Sequence, residues 1–413
     1  MAKPKIVAAD GITLTDEEGK TYLDCISSWW VNLHGHKHPT LLAAMQKQME
    51  AFAHSIFSGF SHAPAEELGT ALCHAFGGMG KVFYSDDGST AVEVAIKMAI
   101  HSQAHSWAQG KPRRKRIVCL ANSYHGDTVG AMSVAEKGLF TLPYSAMLFD
   151  TLVLPMAYGT DIDAELDADE KAQLEACLQL LEAEDLAAII YEPMVQGAGG
   201  MRLQKRAYTN AILAKAKAEG LLLIADEVMT GFGRTGRLFA SEYLDTKPDL
   251  VCLSKGLTGG MLPLGATLAT DVIYEVLGTG AVRDRFLHGH SFTANPIACA
   301  VALASFRLLE GEICKQQRQF LEQRLSQMAM HLGAQPRVEN MRALGCLLAF
   351  DIKTEERTGY MNSMRNKAYA WFLAHGLLMR PLGNTLYLLP PYSSTAEELL
   401  EMETKILAFL HSE

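Results

Sequence analysis

Short apolar runs recur along the first three quarters of the chain, separated by longer segments of helical period. The runs Ile117–Leu120, Ala187–Tyr191, Leu221–Ala225, Leu250–Leu253 and Leu264–Ala269 predict buried strands, and Thr90–Gln103, Asp169–Leu181 and Ala207–Glu219 predict helices. Strand and helix alternating in this way predict an α/β fold: a mostly parallel central sheet, covered on both faces and joined by right-handed crossovers.

Beyond about Asn295 the texture changes. A long helical stretch runs to about Gly333, strand-like segments follow at Leu344–Ile352, Leu378–Arg380 and Thr385–Leu389, and an amphipathic helix over Thr395–Leu410 closes the chain. This predicts a second, smaller α+β domain. Ile12–Leu23 reads as a hairpin around Glu18-Gly19 that packs on it. The expected division is 1–45 as the N-terminal segment, 46–300 as the large domain and 301–413 as the small one.

Composition narrows the function. A chain of 413 residues with 49% hydrophobic and 20% charged residues is ordinary globular material of two or three domains. Its net charge of -9 argues against a nucleic-acid partner, which would need basic side chains to neutralise phosphates. The one basic run, Lys111 to Arg116, leads into Ile117–Leu120 and reads as a solvated loop before a strand. Eight cysteines without CxxC spacing suggest free thiols in a reducing compartment. The opening residues lack the apolar core of a signal peptide, and no run is long enough to span a membrane, so a cytoplasmic protein is expected.

Four segments could carry chemistry, each with a plainer reading beside it. Leu221–Ala225 ends in Asp226-Glu227, at the strand edge where open α/β sheets bind ligands; the plain alternative is an acid that solvates a loop. Leu250–Leu253 ends at Ser254-Lys255 before Gly256-Leu257-Thr258-Gly259-Gly260. A lysine desolvated there would present a free amine for Schiff-base chemistry, or could simply snorkel. Asp86-Asp87-Gly88-Ser89-Thr90 opens a helix whose N–H groups could receive an anion, or be capped by Ser89 or Thr90. Asn122-Ser123-Tyr124-His125-Gly126-Asp127 follows a strand and offers an aromatic face, or a tyrosine packed under its loop.

Together these supply an amine, a carboxylate, a phosphate cradle and a flat aromatic, all at strand ends. Pyridoxal 5'-phosphate needs that set: a lysine for the aldehyde, a helix N-terminus for the phosphate, a stacking partner for the ring and a carboxylate for the ring nitrogen.

Two other patterns compete. Gly231-Phe232-Gly233-Arg234-Thr235-Gly236 has the spacing of a dinucleotide loop, but Asp226 to Thr230 separate it from the strand and no helix is predicted to start within it. His34, His36 and His38 alternate in a loop ending at Pro39, without an acid or cysteine to complete a shell, so no metal is expected.

The segments Leu223–Arg237 (LIADEVMTGFGRTGR), Cys252–Gly260 (CLSKGLTGG), Tyr191–Gly200 (YEPMVQGAGG) and His288–Pro296 (HGHSFTANP) occur in this order. With them the chain resembles the class III (ω-) aminotransferases of PLP fold type I over essentially its whole length. Ser27–Asn32, Tyr124–Ser133 and Met379–Gly383 further resemble the branch of that family that aminates 8-amino-7-oxononanoate in biotin biosynthesis, with S-adenosylmethionine or lysine as amino donor.

The resemblance implies roles for individual residues. Lys255 would hold the cofactor as a Schiff base and later move the proton, Asp226 would face the ring nitrogen, and Tyr124 would stack near the ring and touch substrate. Gly88 and Ser89 would bind the phosphate, with His125 and Glu192 also at the cofactor. Ser291, beside His290, would reach the phosphate of a neighbouring subunit, which implies a homodimer. Trp29, Trp30 and Gly289 would contact substrate, and Arg380 would hold the carboxylate of the keto acid. The family's His-Pro-Tyr-Thr segment ahead of the first hairpin does not occur in the sequence, which leaves the amino donor open, and His290 stands where some relatives have proline.

Overall fold

The computed structural model describes residues 3–108, 110, 114–138, 140–278 and 285–412. Lys111 to Arg113 of the basic run lie outside the described residues. The central sheet has seven strands: β1 (Lys81–Ser85), β2 (Arg116–Leu120), β3 (Thr151–Leu154), β4 (Leu186–Tyr191), β5 (Leu222–Asp226), β6 (Leu250–Leu253) and β7 (Gly265–Ala269), in the order β1-β7-β6-β5-β4-β2-β3. Neighbours from β6 through β5, β4 and β2 to β3 are parallel, and β7 alone runs antiparallel to both its neighbours. The predicted α/β class and mostly parallel sheet are borne out.

Burial explains why the inner strands are so apolar. Every residue of β4 and β6 is buried. Ile190, Ile224, Leu250 and Cys252 pack with Val92, Ala95 and Ala99 of the helix α1 (Gly88–Ala108) on one face, and Ile189, Leu223, Val251 and Leu253 join a second cluster with Leu213 and Ala216 on the other. A parallel sheet sandwiched by helices has no polar face to show. β1 and β3 were not predicted. Both are edge strands that carry polar ends or a half-exposed face, which weakens the apolar run.

After Asn295 the predicted single helical stretch is two helices, Pro296–Glu310 and Glu312–Gly333, separated at Gly311, whose backbone is extended. The predicted strand Leu344–Ile352 is likewise a hairpin, Val338–Leu344 against Leu347–Ile352, turned at Gly345 with φ +58°. A Cβ on Gly345 would lie 2.0 Å from the amide nitrogen of Gly236, so this turn admits only glycine. Thr385–Leu388 completes that sheet. The N-terminal hairpin turns at Gly19 as expected, between Thr13–Asp16 and Thr21–Asp24, and gains an unpredicted strand, Ile6–Asp10, that is mostly exposed. Thr21–Asp24 pairs in parallel with Leu377–Leu378, which ties the chain's beginning to its last third.

Candidate active site

The carboxyl ends of β5 and β6 lie side by side in the sheet, and the two candidate residues follow from that. Asp226 is the last residue of β5 and is buried. Its Oδ1 accepts from the Val228 amide at 3.0 Å, and its Oδ2 lies 2.7 Å from Nδ1 of buried His125. Beyond β6 the chain turns sharply at Lys255, a non-glycine residue with φ +46°. A left-handed conformation costs an L-residue roughly 1–2 kcal/mol, a strain that tends to persist where function requires it.

Lys255 Nζ sits 4.5 Å from the centre of the Trp30 ring. Burial pulls the amine down to about 8, against the opposing charges of Asp226 and Glu192. A lysine so placed keeps an appreciable neutral fraction near neutral pH, as a nucleophilic amine must.

The third component is the N-terminus of α1. Asp87 caps it through the Thr90 amide at 2.9 Å, and Ser89 Oγ accepts from the Asp127 amide at 3.3 Å. Close approach explains two glycines here. A Cβ on Gly88 would stand 2.7 Å from a methyl of Val228, and one on Gly126 would stand 2.2 Å from Ser89 Oγ. Asp86, Gly88, Ser89, Tyr124, His125, Glu192, Asp226, Val228 and Lys255 all line one cavity of about 440 Å³.

Tyr124 is half-buried between this cavity and a larger one. Burial, and then its hydrogen bond to Asp127, push its hydroxyl well above the usual range. The Glu192 carboxylate accepts from the amides of Tyr124 (3.1 Å) and Gly197 (2.9 Å), and burial lifts it to about 7.

This donor set suits a phosphorylated pyridine aldehyde. The amine and the carboxylate converge on one cavity whose far wall is a glycine-lined helix N-terminus. The His125 ring, held on Asp226 by one nitrogen, has a buried Nε2 that no protein group satisfies.

The tryptophans occupy a backbone that the sequence did not announce. Ser27, Ser28, Trp29 and Trp30 have φ of 51°, 50°, 73° and 75°, a left-handed turn of four successive non-glycine residues. Buried Asp24 holds it, accepting from the Ser28 amide at 2.8 Å and the Ser28 hydroxyl at 2.6 Å, while Ser27 Oγ donates to the Leu389 carbonyl at 2.7 Å. Trp30 is buried and donates to the Tyr387 hydroxyl at 3.0 Å. Trp29 remains 51% exposed, with the Arg380 guanidinium 3.9 Å from its ring centre. Trp29, Trp30, Tyr124, Lys255 and Arg380 line the larger cavity, about 1100 Å³, which adjoins the first.

Gly289, His290 and Ser291 are not brought to either cavity of this chain. His290 Nδ1 lies 3.6 Å from Asp86, and the Ser291 carbonyl accepts from His54 at 2.6 Å on the exposed surface. Sequence reasoning missed Val228, which packs against Gly88, and the wall formed by Phe140, Tyr158, Arg202 and Tyr360. Val228 stood two residues past the predicted acid; the wall comes from loops with no shared motif.

The glycine-rich segment Gly231 to Gly236 contains turns, with no helix starting within it, and lines neither cavity. Its Arg234 is buried and donates to the carbonyls of Trp30 (3.3 Å), Asn32 (3.1 Å) and Pro390 (3.3 Å), locking the tryptophan turn in place. His34 is buried against Ser305 at 3.0 Å, and burial draws it down to about 3. Among the described residues no three His, Cys, Asp or Glu side chains gather as a metal site would need.

Comparison with known proteins identifies the family. The family described as Aminotransferase class-III matches residues 2–410. An adenosylmethionine-8-amino-7-oxononanoate aminotransferase of Synechococcus elongatus is 46% identical over 408 residues, covering 98% of this chain and 94% of the relative. One of the same name from Corynebacterium glutamicum is 37% identical, covering 98% and 92%. The crystal structure of such an enzyme from Methanocaldococcus jannaschii superposes with a TM-score of 0.91 at 32% identity, covering 100% and 94%. A PLP-bound amine transaminase from an uncultivated Pseudomonas species gives 0.89 at 30%, covering 100% and 95%. Family, relatives and site geometry converge, and the chain belongs to the class III aminotransferases.

Proposed function

We propose that this aminotransferase converts 8-amino-7-oxononanoate to 7,8-diaminononanoate in biotin biosynthesis, using pyridoxal 5'-phosphate held by Lys255 and S-adenosylmethionine as amino donor. The observation that carries the chemistry is the convergence of the Lys255 amine and the His125-anchored Asp226 carboxylate on one cavity. The shared name of the relatives supports the substrate.

When bound, the cofactor supplies an electron sink for the carbon that loses its proton. The other steps belong to the chain. Asp226 offers a carboxylate to the ring nitrogen, and His125 fixes its orientation. Gly88 and Ser89 present the N-terminus of α1 to the phosphate. Lys255 Nζ, depressed to about 8, takes the α-proton of the donor and delivers it again across the same cavity. Tyr124 and the buried Trp30 bound the space in which Nζ works, limiting water. Trp29 suits the aliphatic chain of the keto acid and, through its aromatic face, the sulfonium of the donor. Arg380, resting on Trp29, offers a planar fork to the keto-acid carboxylate.

The working unit we infer is a homodimer. Gly289 and Ser291 lie exposed beside Phe292, itself 59% exposed, where a second copy could receive them at its own phosphate site. We place the enzyme in the cytoplasm. Its eight cysteines are all free thiols, and no described helix is long and apolar enough to cross a membrane.

A half-reaction tests the reading. S-adenosylmethionine should convert the yellow loaded enzyme to its pyridoxamine form, and 8-amino-7-oxononanoate should reverse the change. Conversion by lysine alone would reassign the donor. Rapid turnover of 4-aminobutyrate, ornithine or a diamine, with none of the oxononanoate, would place the enzyme in another branch of the family.

A further inference from the structure

Five basic side chains line the larger cavity: Lys137, Arg202, Lys255, Arg342 and Arg380. Their charges are differently placed. Arg342 is buried and saturated, donating to the carbonyls of Met201 and Gly200 and to Asp351, whose carboxylate also takes Thr385 and Asn340. Lys137 is exposed at the rim, and Lys255 is the amine already assigned. The acids of the same wall are engaged as well, Asp127 by Tyr124 and Glu136 by the Asn122 amide. Two guanidinium groups are left with an aromatic platform and no acid partner among the described residues: Arg380 over Trp29, and Arg202 with its carbon 5.4 Å from the centre of the Tyr158 ring. Tyr158 is itself fixed by hydrogen bonds to Asn122 and the Ala121 carbonyl, so the platform under Arg202 is rigid.

We propose that Arg202 holds the carboxylate of the amino donor, so that the two substrates dock on different arginines. The inference rests on the transamination reading above. An α-amino donor carries its carboxylate on the reacting carbon, whereas the keto acid carries its own at the far end of an aliphatic chain. One fixed fork cannot meet both. Arg202 is half-buried and Arg380 is exposed, so the less solvated guanidinium is assigned to the carboxylate that the reacting carbon itself carries, and the solvated one to the distant carboxylate. An unpaired guanidinium in a cavity also gains more from a bidentate carboxylate than a solvated one does.

The test uses the loaded enzyme and its two half-reactions. With Arg202→Gln, the S-adenosylmethionine concentration for half-maximal conversion should rise about tenfold or more, the loss expected for a charge-assisted pair. The acceptor dependence of the reverse conversion should stay within about twofold of wild type, which also reports that the variant is folded. Wild type should prefer the donor over its carboxamide by a similar factor, Arg202→Gln should show no preference, and Arg202→Lys should recover part of it. An unchanged donor dependence with the carboxylate preference retained overturns the proposal, as does equal weakening of both half-reactions. If S-adenosylmethionine fails to convert wild-type enzyme, the reading of the reaction falls first, and this inference with it.

Discussion

His125 Nδ1 lies 2.7 Å from Asp226 Oδ2, and both side chains are buried. The pair joins the loop after β2 to the end of β5, so the carboxylate proposed to meet the ring nitrogen has its direction set by a residue 101 positions earlier. Removing the imidazole leaves Asp226 with one backbone donor, from Val228.

His125→Leu should therefore weaken cofactor retention without emptying the cavity. A hydrogen bond to a charged group is worth about 1.5–3 kcal/mol, so the cofactor dissociation constant should rise by roughly tenfold to a hundredfold. Dialysis followed by absorbance of the retained cofactor measures this. Retention equal to wild type would show that Asp226 needs no such support.

Lys255 sets a pH dependence whose sign is fixed by its depressed value. The amine must be neutral to attack an aldehyde, and its neutral fraction grows as pH rises through about 8. Near pH 7.5 it is on the order of a hundred times more neutral than an unperturbed lysine. The rate at which cofactor-free enzyme takes up pyridoxal phosphate should climb between about pH 7 and 9 and then level off. A profile still rising at pH 10 would mean that the amine is not desolvated. Lys255→Ala should abolish the yellow band altogether.

What the chain disclosed in advance follows from burial. β4, β5 and β6 are covered on both faces, so their apolar runs are unbroken, and Asp226 and Lys255 stand out where two such runs end. Edge strands β1 and β3 lack that signal. Gly311 was hidden inside a helical pattern because both helices keep the same period across it. Trp29 and Trp30 were legible as a motif, but their left-handed backbone was not, since four positive φ angles depend on Asp24, Leu389 and Arg234 rather than on neighbours in sequence. Arg202 and Tyr158 meet only in space, and no spacing rule connects them.

Glu192 ties stability to pH. Its folded value of about 7 is raised above the ordinary 4.5 because its charge is desolvated, so the folded state holds the proton more tightly than the unfolded state does. Stability of the cofactor-free enzyme should then fall as pH rises from about 4.5 to 7 and level off above it. The effect is of the order of 3 kcal/mol. Glu192→Gln should flatten that part of the curve in urea unfolding followed by fluorescence. An identical slope in the variant would assign the dependence to other groups.

Trp29→Gly should separate stability from function at one position. The residue holds φ +73°, which an L-side chain adopts at a cost of about 1 kcal/mol and glycine adopts freely. Its ring is 51% exposed, so little buried area is lost on removal. What is lost is the platform 3.9 Å from the Arg380 guanidinium, an aromatic–cation contact worth about 0.5–2 kcal/mol. The variant should unfold at higher urea concentration than wild type, yet require several-fold more keto acid for half-maximal rate, with kcat changed less than KM. Lower stability would show that Trp29 packs more than it strains. An unchanged KM would remove the Trp29–Arg380 pair from substrate recognition.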